Sequence, residues 1–351
     1  AGAAAGEKAA TDLEPGERLA ERYTVLKKLG EGGYGAVYEV ERGSGKRYAC
    51  KVEAASEPLQ ALKMEVMVLQ ALEKAGAFHS CRMVEGGMNE KIRFIVMTML
   101  GPSLQALRKE RRSQCFSLST ALRVGQQSLE AVKEIHDVGF LHRDLKPDNL
   151  AVGRAEQSRI VYLLDFGIAR KYREDNGELR KARKRAGFRG TLRYAPLNCH
   201  RQKELSRRDD LESWLYLQVE LTNGRLPWRE LTTKDEVFKA KQEARTPKGQ
   251  AAMFRHCPDF YQSLLDLIDG MEYQTTPAYE RIGQALVWGL EQFPGPNNKP
   301  DSPSDWEQPP APAKNRTPKS AQNVQSGRRP QANRPRLGPG KPQLKLHKRT
   351  T

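Results

Sequence analysis

The sequence predicts an α+β fold of two lobes, a small β-rich N-terminal lobe with one main helix and a larger helical C-terminal lobe. Strand-like runs at residues 36–40 and 47–52 follow a glycine-rich turn, as in an antiparallel sheet. One helical pattern follows, with apolar residues at Leu62, Val66, Leu69 and Leu72. In the second half of the chain helical periodicity dominates, for example at Leu211, Leu215, Leu217 and Val219 and again at Phe260, Leu264, Leu267, Ile268 and Met271.

The first element is a glycine-rich hairpin that follows an apolar run at residues 23–29. It reads Gly30-Glu31-Gly32-Gly33-Tyr34-Gly35-Ala36-Val37 and matches G-x-G-x-x-G-x-V, a turn whose backbone can close over the phosphates of ATP. A dinucleotide-binding motif would need a helix at the third glycine. Because the chain continues as strand, the motif predicts an ATP-binding hairpin, although the signal is weak on its own.

The next strand and the first helix carry a candidate ion pair. Lys51 lies in the strand 47–52, and Glu65 lies within the helical pattern. Either residue alone would more often be a solvated surface charge. Their order between the glycine hairpin and the charged loop at residues 142–149, which is described below, predicts that they pair and align ATP. Ala49, on the same strand as Lys51, is assigned to the ATP site with them.

The segment 94–102 predicts a buried strand that runs into a turn, where two lobes would be linked. Met97 would lie at the back of the nucleotide pocket, and Thr98 and Leu100 would contact adenine through their backbones. For any one of these side chains, a place in an ordinary core strand is an equally good interpretation.

A charged loop in mid-chain gives the strongest signal. It reads His142-Arg143-Asp144-Leu145-Lys146-Pro147-Asp148-Asn149, and Asp165-Phe166-Gly167 follows a strand-like run at residues 160–164. Asp144 would accept the proton of a substrate hydroxyl, Lys146 would steady the transferring phosphate, and Asn149 and Asp165 would hold Mg²⁺. A chance triplet on a surface loop does not explain this joint match. The loop therefore predicts phosphoryl transfer from ATP with Mg²⁺.

Further segments carry a family resemblance. They read Lys63-Met64-Glu65-Val66, Gly139-Phe140-Leu141, Ala186-Gly187-Phe188-Arg189-Gly190-Thr191, Arg193-Tyr194-Ala195, Asp209-Asp210-Leu211-Glu212 and Leu226-Pro227-Trp228. Together with the motifs above, they resemble the casein kinase one superfamily of protein kinases, and most of all its tau-tubulin kinase branch. The resemblance covers about residues 14–293.

The resemblance implies a bilobal protein kinase fold, with an N-lobe over about residues 21–97, a hinge over about 98–101 and a C-lobe over about 102–293. It also implies a monomeric serine/threonine kinase. Its substrates would be proteins with acidic or already phosphorylated motifs. Tubulin, tau-like and other microtubule-associated proteins are the partners associated with this branch.

The resemblance also assigns roles to single residues. Thr191 matches the family threonine that contacts the catalytic aspartate, Arg193 matches the arginine of the superfamily's anion site, and Asp210 would anchor the catalytic loop from below. The segment Ala195-Pro196-Leu197-Asn198 departs both from the usual Ala-Pro-Glu and from the superfamily's Ser-Ile-Asn.

The activation segment between Gly167 and Gly190 lacks Ser and Thr, and its one hydroxyl side chain is Tyr172. A switch by Ser or Thr phosphorylation therefore has no acceptor, and we expect a segment that is ordered without it. Residues 180–189 are rich in Lys and Arg and would favour acidic or phosphorylated substrates, although charge runs are often only solvated.

The substrate anion site is predicted from three basic residues. Arg193 follows from the resemblance, and Arg143 could share an anion with it. Either Lys239 or Lys241 would complete the pocket, and Lys239 is the residue chosen.

Composition sets the domain boundaries. The chain has 351 residues and a net charge of +16. From residue 294 onward it contains twelve prolines, twelve Lys or Arg and three acids, which predicts a basic, disordered tail over residues 294–351. Residues 1–20 are predicted to be a flexible N-terminal segment, and residues 21–293 the kinase domain. Trp306 is the only aromatic residue of the tail, which argues against stacking on nucleic acid.

Composition also bears on location. No run of eighteen apolar residues occurs, and the alanine-rich start has no apolar signal-peptide core, so neither a membrane span nor a signal peptide is predicted. The five cysteines form no C-x-x-C pair, which suggests free thiols in a reducing compartment. We expect a cytoplasmic protein, with nuclear entry left open by the basic tail. The rival interpretation is a non-catalytic scaffold that uses a kinase fold and basic tail to bind acidic filaments or nucleic acid.

Overall fold

The computed structural model describes residues 11–32, 35–43, 45–58, 60–292, 299 and 302–308, and it confirms the two-lobed α+β fold. The N-lobe contains a six-stranded antiparallel sheet in the order β1-β2-β3-β4-β6-β5. Its strands are β1 (Arg18–Leu19), β2 (Tyr23–Gly32), β3 (Gly35–Arg42), β4 (Lys46–Ala54), β5 (Met83–Met88) and β6 (Ile92–Thr98). Helix α1 (Ala61–Lys74) connects β4 to β5.

Alternation along the strands gives the sheet two different faces. On β4, Tyr48, Cys50 and Val52 are buried, whereas Ala49 and Lys51 between them are only partly buried. Successive side chains of a strand point to opposite faces, so the buried set forms one core, and Ala49 and Lys51 share the other face. The N-lobe core comprises Leu13, Leu19, Tyr23, Val25, Ala36, Tyr38, Val40, Tyr48, Cys50, Val52, Ile92, Phe94 and Val96.

The prediction of a flexible segment over residues 1–20 is wrong for residues 11–20. Strand β1 pairs with β2 through Leu19 and Tyr23, and Leu13 is buried in the N-lobe core. The backbone N–H of Leu13 donates to the hydroxyl of Tyr38 at 3.0 Å. Two isolated leucines gave no periodic signal in the sequence, but both are buried in the N-lobe core.

The C-lobe is mainly helical. Its helices are α2 (Leu104–Lys109), α3 (Leu118–Asp137), α4 (Leu197–His200), α5 (Arg207–Asn223), α6 (Lys234–Glu243), α7 (Pro247–Met253), α8 (Phe260–Asp269) and α9 (Tyr279–Gln292). Two antiparallel strand pairs lie beside them: β7 (Phe140–Leu141) with β10 (Arg170–Lys171), and β8 (Leu150–Val152) with β9 (Val161–Leu163). These short strands carry the catalytic loop and the turn that follows it.

Helix α5 is the centre of the C-lobe and is buried along almost its whole length. It begins with a capping box between Ser206 and Asp209 and ends at Gly224, whose φ of +88° suits a residue without a Cβ. Trp214 is buried, whereas Trp288 is half exposed. Among the described helices, none is long and apolar enough to cross a membrane.

The apolar stripe of α1 joins the hydrophobic core of the C-lobe. Leu62, Leu69 and Leu72 belong to the same cluster as the C-lobe helices, together with Met97 at the end of β6. Glu65 lies on this buried face of α1. The packing of α1 therefore fixes the position of Glu65 relative to both lobes.

Residues 302–308 lie in the predicted disordered tail, yet they are docked on the C-lobe. The carboxylate of Asp305 accepts hydrogen bonds from the backbone N–H (2.6 Å) and the hydroxyl (2.8 Å) of Ser117, at the start of α3. Trp306 packs edge to face against Phe116 at 5.6 Å. The prediction of disorder is therefore wrong for residues 302–308. It rested on the composition of the whole tail and did not take account of the short capping box of Ser304 and Glu307. The other tail residues, apart from Lys299, lie outside the described residues.

We expect the variant Asp305→Ala to lower the free energy of unfolding by about 1–2 kcal/mol, because it removes the acceptor for the first turn of α3. Urea unfolding followed by circular dichroism would measure the change. Asp259→Ala is the matched control, since Asp259 stands at the N-cap of α8 without a side-chain capping bond. Equal effects of the two substitutions would contradict the anchoring role of Asp305.

Candidate active site

The catalytic loop, residues 142–149, runs from β7 to β8 and is held from below by a buried carboxylate. Asp210, in the first turn of α5, accepts hydrogen bonds from the backbone N–H groups of His142 (2.7 Å) and Arg143 (2.9 Å). Its Oδ2 also lies 2.8 Å from Nε2 of His136. Burial acts to raise the pKa of Asp210, but the bond with His136 and the other donors lower it below its usual value. Asp210 therefore stays ionised, in the place that the resemblance implies.

Two residues of the site have a left-handed backbone that residues other than glycine rarely adopt, Arg143 (φ +69°) and Asp165 (φ +64°). The ring of His142 links the two turns. Its Nδ1 accepts from the N–H of Asp144 at 3.2 Å, and its Nε2 donates to the carbonyl of Leu164 at 2.9 Å. His142 is therefore a structural link and not a metal ligand.

The four predicted catalytic residues are in direct contact. Nζ of Lys146 lies 2.8 Å from Oδ2 of Asp144 and 3.1 Å from the hydroxyl of Thr191. The backbone N–H of Thr191 donates to Oδ1 of Asp144 at 2.7 Å. The side-chain amide of Asn149 donates to the carbonyl of Asp144 at 2.9 Å. Asp144 is therefore oriented from three sides, with a cation beside it.

The predicted ion pair of Lys51 and Glu65 is present, and it extends to the other lobe. Nζ of Lys51 lies 2.5 Å from Oε2 of Glu65 and 2.8 Å from Oδ1 of Asp165. Burial acts to lower the pKa of Lys51, but the two carboxylates outweigh it and raise the pKa above its usual value. Lys51 is thus a cation that connects β4, α1 and the turn after β9.

The glycine hairpin is formed by β2 and β3. Gly30 pairs with Val37, and Gly32 pairs with Gly35. At Gly35, which has a φ of +138°, an added Cβ would lie 1.9 Å from the carbonyl oxygen of Val52, so this position requires glycine. Glu31 is exposed and pairs with Lys28. The assignments of Gly33 and Tyr34 to the ATP site concern residues outside the described part.

The predicted nucleotide-binding residues of the strands share one region. Val37 pairs with Lys51 across β3 and β4, and Ala49 pairs with Met97 across β4 and β6. Met97 is buried, as expected for the back of a pocket. The backbone N–H of Thr98 already donates to the carbonyl of Arg82 at 3.0 Å. An adenine contact at Thr98 would therefore have to use its carbonyl oxygen, whereas Leu100 lies in the irregular stretch that follows β6.

The donor set at the site fits a hard divalent cation. The nitrogen of the Asn149 amide is used by Asp144, which leaves its oxygen for a metal. The carboxylate of Asp165 is partly exposed and binds Lys51 through one oxygen. Amide and carboxylate oxygens suit Mg²⁺, which typically takes its remaining ligands from phosphates and water. Within the described ranges, no cluster of three His, Cys, Asp or Glu offers another metal site.

Arg143 and Arg193 are less available to an anion than the sequence predicts. Nε of Arg143 donates to the carbonyl of Ile168 at 2.8 Å, and burial lowers the pKa of Arg143 to about 10. Arg193 lies 3.7 Å from the buried carboxylate of Glu220, although a third of its side chain is exposed. Arg193 thus remains partly exposed, and its anion-binding role stays a prediction, whereas Arg143 is mainly a structural residue.

The choice of Lys239 over Lys241 stays a prediction, but the structure places the two lysines very differently. Lys239 is exposed on α6. Lys241 is fully buried, and its Nζ donates to the carbonyls of Leu192 (2.9 Å) and Ala195 (2.6 Å). Lys241 therefore supports the loop that carries Arg193 from beneath. Sequence reasoning had no periodic signal that separated the two lysines.

Sequence reasoning missed the carboxylates that hold the end of the activation segment. Oε1 of Glu212 accepts from the N–H of Leu197 at 2.9 Å and lies 3.0 Å from Nη2 of Arg245. Glu204 binds Arg170 and Arg183. The capping box around Ser206 was the only local signal for these residues.

Comparison with known proteins agrees with this geometry. The protein kinase domain family matches residues 23–282. The chain belongs to the protein kinase family. It is 36% identical over 294 residues to a "Probable serine/threonine-protein kinase" of Dictyostelium discoideum, a match that covers 83% of this chain and 58% of that protein. The chain thus corresponds to little more than half of that relative's length.

Two Caenorhabditis elegans relatives are covered more fully. Serine/threonine-protein kinase spe-6 is 33% identical over 76% of this chain and 71% of its own length. A "Putative casein kinase I" is 33% identical over 84% of this chain and 86% of its own length. The resemblance to protein kinases is therefore confirmed, and a casein kinase I relative is among the matches; the tau-tubulin branch stays a prediction.

We expect Asp210→Asn to lower the free energy of unfolding by about 2–4 kcal/mol, because a side-chain amide nitrogen would face the N–H donors of the catalytic loop. Chemical unfolding would measure the change. Asp137→Asn is the control: Asp137 forms an exposed pair with Lys133, and its loss should cost no more than about 0.5 kcal/mol. A loss for Asp210→Asn as small as that would refute the anchoring role.

Proposed function

We propose that this chain is an ATP- and Mg²⁺-dependent protein serine/threonine kinase. The observation that carries the proposal is the position of Lys51, whose ammonium contacts Glu65 in the N-lobe and Asp165 in the C-lobe at once. This arrangement is the one that a protein kinase needs to align ATP. A chain that only used the fold for binding would have no need of it.

Each residue has a chemical task in this proposal. Lys51 would hold the α- and β-phosphates, and Asp144 would accept the proton of the attacking hydroxyl. Lys146, beside Asp144, would balance negative charge on the transferring group. Thr191, which touches both side chains, would favour Ser and Thr acceptors over Tyr. Mg²⁺ held by Asn149 and Asp165 would neutralise phosphate charge.

The substrate class is proposed from surface charge. Lys181, Lys184 and Arg189 of the activation segment are exposed. No carboxylate of the described residues forms an ion pair with these three side chains, so they can meet an acidic or phosphorylated substrate. We extend the proposal to cytoskeletal substrates such as tubulin and tau-like proteins, to a cytoplasmic location and to a monomeric state. The basic charge of the chain and the casein kinase one resemblance support it.

The competing function is a scaffold that binds acidic filaments through the same basic surfaces. It differs from the kinase in one requirement, since a scaffold does not need Asp144. Phosphate transfer and filament binding can therefore be measured on the same variants. Filament binding that survives loss of Asp144 would be compatible with either function. Phosphate transfer that depends on Asp144 would be compatible only with the kinase.

The variant Asp144→Asn should reduce kcat by about 10²-fold or more without unfolding the protein, because the hydroxyl acceptor loses its base. Transfer of ³²P from Mg·ATP to casein, tubulin and synthetic peptides would measure it. Asp148→Asn is the matched control, since Asp148 is exposed on the same loop and should leave kcat within about twofold. Turnover by Asp144→Asn equal to that of the unmodified chain would rule out the assigned role.

The combined variant Lys181→Gln, Lys184→Gln and Arg189→Gln should raise KM for an acidic or phosphoserine peptide by about tenfold, while KM for ATP stays unchanged. The difference should shrink at high salt. The control changes Lys248, Arg255 and Arg281 to Gln, which removes the same charge from exposed sites elsewhere on the C-lobe. If both combined variants raise KM equally, net charge alone governs recognition and the proposed surface is wrong.

A further inference from the structure

Three arginines converge beneath the activation segment. Arg143 lies in the catalytic loop, Arg170 in β10 and Arg183 in the segment itself. Arg170 and Arg183 both act to lower the pKa of Arg143 through charge repulsion. Neighbouring guanidinium groups repel one another, so this part of the segment is more stable with an anion beside it.

The anion is Glu204, on the loop between α4 and α5. Its Oε1 lies 2.6 Å from Nε of Arg170 and 3.1 Å from Nη2 of Arg183, while its Oε2 binds Nε of Arg183. Only 3% of the Glu204 side chain is exposed. An exposed ion pair contributes little to stability. Glu204 differs because it is itself shielded from water and holds two partly exposed arginines, so its loss leaves two neighbouring cations without their shared anion.

Arg170 lies in the first half of the activation segment, and Arg183 lies in its second half. Arg170 comes just after Asp165-Phe166-Gly167, and Arg183 lies in the basic run of residues 180–189. Other contacts hold the same region. Among them, the N–H of Ala186 donates to the carbonyl of Gln202 at 2.8 Å, and the hydroxyl of Tyr273 donates to the carbonyl of Arg180 at 2.8 Å. Glu204 is the charged tie among these contacts.

No residue of the segment can supply an anion through Ser or Thr phosphorylation, because none is present between Gly167 and Gly190. Tyr172 is buried, and its hydroxyl donates to the carbonyl of His136 at 2.7 Å. Phosphate groups commonly order such segments by pairing with arginines. Here a carboxylate of the chain already stands at the arginines.

We propose that Glu204 is the positioning residue that fixes the activation segment in its working conformation. The proposal rests on the proposed function where it concerns turnover. Glu204 does not touch the reacting atoms. It acts through Arg170 and Arg183, which set the path of the chain between Asp165 and Thr191.

The test compares Glu204→Gln, Glu204→Asp and Glu272→Gln with the unmodified full chain. Glu272 is the matched control. It is an exposed carboxylate that lines, together with Glu204 and Arg183, a cavity of about 460 Å³, but it does not pair with Arg170 or Arg183. Two readouts are used, amide hydrogen exchange of residues 178–190 and the kinetics of phosphate transfer to casein.

For Glu204→Gln we expect exchange in residues 178–190 to be faster by about tenfold or more, while amides of α3 and α5 keep their protection. We expect kcat to fall by about tenfold, with KM for ATP within about twofold, because Lys51 and Glu65 are untouched. Glu204→Asp should recover part of both effects, and Glu272→Gln should behave like the unmodified chain.

Exchange of residues 178–190 that stays within about twofold of the unmodified chain in Glu204→Gln would overturn the proposal. If Glu204→Gln loses hydrogen-exchange protection throughout the chain, the variant Arg183→Gln decides, because Arg170 still pairs with the Glu204 carboxylate in that variant. Loss of protection confined to residues 178–190 in Arg183→Gln supports the proposal. Unchanged protection of these residues overturns it. A chain that transfers no phosphate in any form would refute the proposed function, while hydrogen exchange would still judge the role of Glu204.

Discussion

The hydrogen bonds from the catalytic loop to the buried carboxylate of Asp210 are the interaction on which the site depends. Since α5 is buried almost throughout, a charge on it is unfavourable unless it is paired. The loop offers two consecutive backbone N–H groups, from His142 and Arg143, and both can reach one carboxylate only if the chain turns sharply. The left-handed backbone of Arg143 is that turn. Strain of about 1–3 kcal/mol at such a residue is offset by the hydrogen bonds to the ionised Asp210. The backbone position of Asp144 therefore depends on the bonds that its neighbours His142 and Arg143 make.

The same principle extends along α5. Asp209 binds the side chain of Asn198 at 2.9 Å, Glu212 holds the N–H of Leu197, and Glu220 pairs with Arg108 at 3.0 Å. Asp209 and Glu212 therefore hold adjacent residues at the start of α4, whereas Glu220 holds a residue of α2. Buried ionic pairs are poor evidence for stability, since apolar residues of similar size are often as stable or more so. Their value here lies in specifying which backbone group stands where, which apolar packing cannot do.

The sequence predicted the parts of the fold and site that rest on local patterns. Lys51 and Glu65 were found because one lies on an alternating strand and the other within a helical repeat. The sequence pattern places Val66 on the apolar stripe of α1, whereas the structure buries Val68 more deeply and places Glu65 on the buried face of the helix. The docking of Asp305 could not be predicted in this way.

Contacts between distant residues explain the rest. Asp305 meets Ser117 across 188 positions of the chain, and tail composition outweighed the short capping signal beside it. Lys239 and Lys241 stand two positions apart on one helix, so only the packing of α6 beneath the loop of Leu192 and Ala195 distinguishes them. A residue whose role is to hold another residue's backbone leaves no pattern of its own in the sequence.

The burial of carboxylates also shapes the surface that a substrate meets. The described residues include nine buried acids but five buried Lys or Arg: Glu39, Glu53, Glu65, Glu204, Asp209, Asp210, Glu212, Glu220 and Asp305 against Arg108, Arg123, Arg207, Arg208 and Lys241. More acidic than basic side chains are therefore buried. The exposed surface of the described residues is thus more basic than their net charge suggests. Because Glu204 pairs with Arg170 and Arg183 while staying out of solvent, it leaves the outer cations of that segment available for the acidic substrate proposed above. One buried carboxylate can therefore order the segment without cancelling the charge by which it would recognise its target.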